Sequence, residues 1–133
     1  QLAQRWFVPL QQTTEPVPCL QQLLAEKIDA ADEQLLRYGC PLNNLMQEMS
    51  PLDENFRQGL QRILDEWTRV ISHALTRGQQ QGNVRWDVNP MEAALFIVAA
   101  IEGCVGLGKN AQSLQSYRTC LGQLQQYIGT LAA

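Results

Sequence analysis

The last third of the chain most limits what it can fold into. Residues 90–109 read PMEAALFIVAAIEGCVGLGK, nearly all apolar. The stretch that follows carries Leu114, Tyr117, Leu121, Leu124, Ile128 and Leu131 in 3-4-3-4-3 spacing. The first pattern is a helix that is apolar all round; the second is a helix with a one-sided seam. Together they hold more apolar surface than a 133-residue monomer can cover. They predict a helix hairpin that pairs with a copy of itself.

Small residues mark the first of these helices: Ala93, Ala94, Ala99, Ala100, Gly103 and Gly106. A glycine inside a helix costs roughly 1 kcal/mol, so two of them need a packing reason. Close crossing at a dimer axis is one; an intrachain crossing is the other. Glu102 is the one charge deep in this segment. A buried, unpaired carboxylate is expensive, so three readings stay open: an interface hydrogen bond, a solvent-exposed position, or a contact with a bound effector.

The rest of the chain also reads as helix. Val, Ile and Thr nowhere alternate with polar residues over a strand length. Residues 1–12 set Ala3, Trp6, Phe7 and Leu10 on one face, with Pro9 perturbing the helix. Thr14-Glu15-Pro16 predicts a helix start, with Thr14 as cap, leading to Val17, Leu20, Leu23, Leu24 and Ile28. The acidic end Asp29, Asp32 and Glu33 opposes the helix dipole, so fraying is expected near Ala31. Residues 35–40 read as a connector. Pro41 opens a short helix through Met49, and Ser50-Pro51-Leu52-Asp53 starts a long one reaching about Gln81. Gly82 closes that helix as a left-handed cap. Asn89-Pro90-Met91-Glu92 begins the apolar helix with a capping-box-like pattern. The expected fold class is all-α, a bundle of about six helices ending in a two-helix dimerisation hairpin.

Composition narrows the function. The net charge is −3, charged residues are 17%, and no block of Lys or Arg occurs. Such a chain has no electrostatic footprint for nucleic acid or for an anionic membrane. The apolar run over residues 93–101 is about half of what a membrane span needs, and QLAQRWFVPLQQ lacks the pattern of a secretory signal. A cytoplasmic location is expected. Cys19, Cys40, Cys104 and Cys120 form no C-x-x-C pair and are expected to be reduced, acting as small hydrophobes. With a single histidine, His73, a metal site is not expected. No nucleophile–base set, P-loop or dinucleotide fingerprint appears. No catalytic residue and no cofactor are assigned.

From Gly39 onward the order of features resembles the C-terminal domain of TetR-type (tetracycline-repressor-like) transcriptional regulators. The matching pieces are Gly39-Cys40-Pro41-Leu42-Asn43-Asn44-Leu45, Ser50-Pro51, and the long helix with Trp67 and Leu75. They continue with Gly78-Gln79-Gln80-Gln81-Gly82-Asn83-Val84-Arg85, Asp87-Val88-Asn89-Pro90 and Ala99-Ala100-Ile101-Glu102-Gly103. The resemblance implies a domain that binds a small effector and forms a two-fold dimer through its last two long helices. It also implies DNA contact only through an N-terminal helix-turn-helix head that these residues do not contain. Residues 1–133 would then be a single effector-binding and dimerisation domain, with 1–12 the end of the helix linking to that head. The expected pocket lining is Leu24, Ile28, Leu42, Asn43, Met46, Trp67, Ile71 and Phe96, with Asn43 orienting a largely apolar small molecule. The expected homodimer contact is Met91, Leu95, Gly103, Leu114, Tyr117, Leu121, Leu124 and Ile128. The rival reading is a helical homodimeric adaptor with a filled core and no ligand.

Overall fold

A computed structural model describes residues 3–38 and 53–133. These form a π-helical turn, Ala3–Phe7, followed by α1 (Val8–Gln12), α2 (Pro16–Asp29), α3 (Glu33–Tyr38), α4 (Glu54–Gln80), α5 (Pro90–Ala111) and α6 (Leu114–Gly129). No strand occurs among the described residues, which makes the fold all-α. The expected helix from Pro41 to Met49, and the pocket positions Leu42, Asn43 and Met46 on it, lie outside the described residues.

Local chemistry explains where most helices begin and end. The π-helical turn precedes Pro9, whose ring nitrogen cannot donate to a carbonyl in the preceding turn. Thr14 does not cap α2. Glu15 stands at that position without a side-chain cap bond, and Thr13 Oγ1 instead accepts from the Glu15 N–H at 3.0 Å. Residues expected as connector form α3. Asp32 Oδ1 accepts from the Leu35 N–H at 3.0 Å, and Glu33 sits in the first turn. Asp32 and Glu33 therefore favour the start of α3, where the dipole welcomes acid, rather than opposing the end of α2. α4 is capped by Asp53, whose Oδ1 accepts from the Phe56 N–H at 3.1 Å. Its C-terminus is a Schellman turn: Asn83 N–H donates to Gly78 O at 2.7 Å and Gly82 N–H to Gln79 O at 3.1 Å. Gly82 holds φ +80°, as its expected role demands. Asn89 caps α5 through the Glu92 N–H (3.1 Å), and Ser113 caps α6 through the Ser116 N–H (3.0 Å).

The helices enclose one core. α5 packs against α4 and α6, α6 also packs on α2, and α3 covers part of α5. Leu10, Leu20, Leu24, Ile71, Leu75, Ile97, Ile101, Leu121 and Ile128 are fully buried there. α5 and α6 run antiparallel: Phe96 meets Tyr127 edge-on, and Cys104 and Cys120 are joined by a disulfide. That pairing corrects the expectation of reduced thiols. Residues 104 and 120 lie on facing turns of the hairpin, with Cα atoms 5.6 Å apart. Gly78 lets α4 approach the start of α2, because a Cβ there would lie 2.7 Å from Pro16 Cγ and 2.5 Å from Val84 Cγ2. The C-terminal residues fold back on the α4–α5 connector, with Arg85 N–H donating to Leu131 O at 2.8 Å. Length and composition would let Pro90–Ala111 cross a membrane, with mean hydropathy 1.7, but half of its most apolar window is buried in this core.

Candidate functional site

Two places in the fold carry features beyond simple packing. The first is the centre of α4. Leu24, Trp67 and Ile71 are buried in one contiguous core, with Ile28 packed against it. Trp67 meets Trp6 of the N-terminal turn edge to face, with ring centroids 5.5 Å apart and planes at 81°. Its Nε1 is buried without a hydrogen-bond partner among the described residues. One residue further on, Thr68 is also buried, but its hydroxyl donates back to Leu64 O at 2.8 Å. Phe96 is not part of this cluster. It lies on the outer side of α5, 52% exposed, against Tyr127. α5 is apolar on every side, so its sequence carries no periodic signal to tell the inward face from the outward one.

The junction between α1 and α4 is tied by polar contacts as well. Arg77 Nη2 donates to Leu10 O at 2.5 Å, and Asn83 Nδ2 donates to Thr14 O at 2.9 Å. The first anchors α1 to the last turn of α4, and the second ties the α1–α2 connector to the residues just beyond that helix.

The second place is the outer face of α5. Met91, Leu95, Ala99, Gly103 and Leu107 recur at every fourth residue and are all exposed, and Phe96 lies beside them. Leu95 is 62% and Leu107 56% exposed. A Cβ added at Gly103 or Gly106 would meet nothing within 4 Å. Among the described residues, no helix of the same chain crosses at these two glycines, and they face open space. Of the expected dimer contacts, Met91, Leu95 and Gly103 lie on this face. Tyr117, Leu121, Leu124 and Ile128 are instead buried inside the chain, and Leu114 partly so. Their 3-4 spacing is satisfied by α2 and α5 of the same chain, because a heptad seam fits a neighbouring helix whichever copy supplies it. The sequence marks Ala99 only as one of the small residues of this helix and does not mark Leu107. No periodic signal in the sequence separates them from the inward-facing apolar residues of α5. Glu102 is buried on α5, which removes the solvent-exposed reading for it.

Surface ion pairs occur among the described residues, two on α4 and one between Arg85 and Asp87. Arg57 lies against Glu54, and Arg69 against Glu66, on exposed turns of α4. Hydrogen bonds from these arginines hold both carboxyls below the ordinary glutamate range. His73 is exposed, with Nδ1 3.4 Å from Arg69 Nη1. Burial, and secondarily Glu26, push the Cys19 thiol up, so this cysteine is a poor nucleophile. An open cleft of about 570 Å³ between α3 and the α5–α6 corner is lined by Glu33, Gln34, Leu36, Arg37 and Gln112. None of the expected pocket residues is among them. No group of three or more His, Cys, Asp or Glu side chains able to hold a metal occurs among the described residues.

Comparison with known proteins places this geometry. A family model described as "Tetracyclin repressor-like, C-terminal domain" matches residues 16–122. The HTH-type transcriptional repressor DhaR of Mycobacterium sp. (strain GP1) is 30% identical over 131 residues, covering 90% of this chain and 64% of that protein. An uncharacterized HTH-type transcriptional regulator in the lacX 3' region of Lactococcus lactis subsp. lactis is 31% identical over 108 residues, covering 79% of this chain and 52% of that one. The chain thus spans less than two thirds of the length of both relatives. The crystal structure of regulatory protein TetR from Rhodobacter sphaeroides shares the fold, with a TM-score of 0.74 at 24% identity over 90% of this chain and 61% of that one. With a family match over residues 16–122, the chain belongs to the tetracycline-repressor-like C-terminal domain family of transcriptional regulators.

Proposed function

We propose that the chain is the effector-sensing and dimerisation domain of a cytoplasmic TetR-type regulator, acting on DNA only through a helix-turn-helix head outside these residues. It performs no catalysis of its own. The observation that carries the dimer half is the outer face of α5. Met91, Leu95, Ala99, Gly103 and Leu107 form an unbroken apolar stripe that the described helices do not cover. Glycines with open space above them suit the close approach of a second helix. A second copy of the same face, related by a two-fold axis, satisfies both.

The effector half rests on the core at α4. Trp67 and Ile71 offer apolar area, and the buried indole N–H offers one polar handle; a small, largely apolar effector fits such a lining. A ligand acts on DNA binding only if it prefers one arrangement of the domain over another. The contacts able to report that preference are those between α4 and the N-terminal turn: Trp67 on Trp6, and Arg77 on Leu10.

Native mass spectrometry of the purified chain tests both halves. The expected result is a dimer carrying the extra mass of a small co-purified molecule. A dimer that stays bare, even after incubation with a broad set of small apolar molecules, would favour the adaptor reading. A monomer at micromolar concentration would refute the interface assigned to α5.

A further inference from the structure

The buried donor on Trp67 says more about the ligand than apolar lining alone can. Tryptophan N–H groups that leave water ordinarily find an acceptor, because an unmade bond forfeits the solvation the group had. Trp67 is 3% exposed, and its Nε1 meets no acceptor among the described residues. The nearest hydroxyl along the helix, on Thr68, donates its proton to Leu64 O. Leu64, Val70 and Ile71 on α4 are apolar, and the other buried hydroxyl of that helix, on Ser72, makes no bond to the indole. The opposing ring belongs to Trp6, on the π-helical turn Ala3–Phe7. π-Helical turns recur at functional positions, and this one sits on the ring whose donor is left over.

We infer that the indole N–H of Trp67 is the polar contact for the effector, and that it selects a neutral, mainly apolar molecule carrying one oxygen acceptor of the ketone, aldehyde or ester kind. This rests on the effector-binding reading above. Neutrality follows from the surroundings. The ring that opposes Trp67 is the uncharged Trp6, and an indole donor alone does not repay the desolvation of a carboxylate. A cation finds no acceptor in the indole N–H, which only donates. The contact with Trp6 gives the bond a consequence. A ligand that pulls on the Trp67 N–H bears on the ring against which the N-terminal turn is packed.

The test uses matched probes in which C=O is replaced by C=CH₂ at nearly constant shape. Acetophenone is compared with α-methylstyrene, and benzophenone with 1,1-diphenylethylene. Binding to the ¹⁵N-labelled chain is followed at the indole signals of Trp6, Trp67 and Trp86. Trp86→Phe, at an 84% exposed position, and Trp67→Phe assign them. In the free protein the Trp67 indole proton is expected at the upfield position of an N–H without an acceptor. Ketones are expected to bind about fivefold tighter than their hydrocarbon partners, the worth of one ordinary hydrogen bond. They should move the Trp67 signal downfield while leaving Trp86 in place. Trp67→Phe should erase the ketone preference over the matched hydrocarbon, whatever the smaller ring does to the affinity of both. Should that variant fail to fold, Trp6→Phe completes the assignment, and the shift of the Trp67 proton in the parent chain decides by itself.

Equal binding of ketone and hydrocarbon with a stationary Trp67 signal would overturn the inference and leave the effector pocket standing. A Trp67 proton already at a hydrogen-bonded position in the free protein would overturn it as well. No binding by any of the four probes would count against the effector reading itself, and this inference would fall with it.

Discussion

Replacing Leu95 by glutamate places a carboxylate in the middle of the exposed stripe on α5. Full burial of a leucine side chain is worth about 1.5–3 kcal/mol. Leu95 is 62% exposed, so roughly 1–2 kcal/mol per copy remains to be gained when a partner covers it. A two-fold contact counts the residue twice, giving roughly 2–4 kcal/mol lost on association. Each glutamate further adds the cost of taking a charge out of water without a partner, so the dissociation constant should rise at least about a thousandfold. The isolated chain should hardly notice the change. Glutamate is a good helix former, and Leu95 points away from the core, so monomer stability should stay within about 0.5 kcal/mol. Sedimentation velocity over a dilution series reads the first effect, and thermal unfolding at the lowest concentration reads the second. Leu121→Glu serves as the contrast: Leu121 is fully buried, so that variant should unfold rather than dissociate. If Leu95→Glu associates like the parent, the outer face of α5 is not the interface, and the reasoning from exposed apolar area fails.

Three further outcomes follow from particular contacts. Gly78→Ala should destabilise by about 1–3 kcal/mol in chemical unfolding despite the usual helix gain for alanine, because its Cβ would meet Val84 and the Pro16 ring; an unchanged midpoint would mean that the start of α2 yields freely. Cys120→Ala should lower stability by about 3 kcal/mol relative to the oxidised parent, with a 16-residue separation closed by the bridge, and should match the reduced parent; thermal melts with and without reductant check it. Acidification should weaken α4. The folded-state carboxyls of Glu54 and Glu66 lie below their ordinary value of 4.5, so their contribution is complete above that value and fades as pH falls through the lower folded-state range. Circular dichroism melts from neutral to acid pH should show that loss, flattened in a Glu54→Gln/Glu66→Gln double variant.

How far the sequence reached depends on which physical signal each element carries. Asn89-Pro90, Gly82 and the heptad from Leu114 to Ile128 each specify a local geometry through caps, a positive φ or a period, and the helices stand where those signals put them. Asp32 and Glu33 read from the sequence as opposing the end of α2, and the structure reverses that. Acidic residues between two helical stretches either oppose the end of one or cap the start of the next, and only the Asp32–Leu35 bond selects the second. Trp67 was legible as a large apolar side chain on the core stripe of α4. That its N–H meets no acceptor among the described residues depends on what surrounds it in space.

The sequence by itself determined the helical class, most helix ends and the excess of apolar surface in the last two helices. Period and capping are local, so a chain carries them wherever it folds. Tertiary structure alone decided which side of that excess stays uncovered. A helix apolar all round has no preferred face, and a heptad seam accepts any helix that reaches it. The packing of α2 against α6 draws Tyr117, Leu121, Leu124 and Ile128 inward. That leaves Met91, Leu95, Gly103 and Leu107 outside. Long-range pairings of the same kind joined Cys104 to Cys120 and set Trp6 against Trp67, contacts between residues whose separation along the chain gives no sign of their meeting.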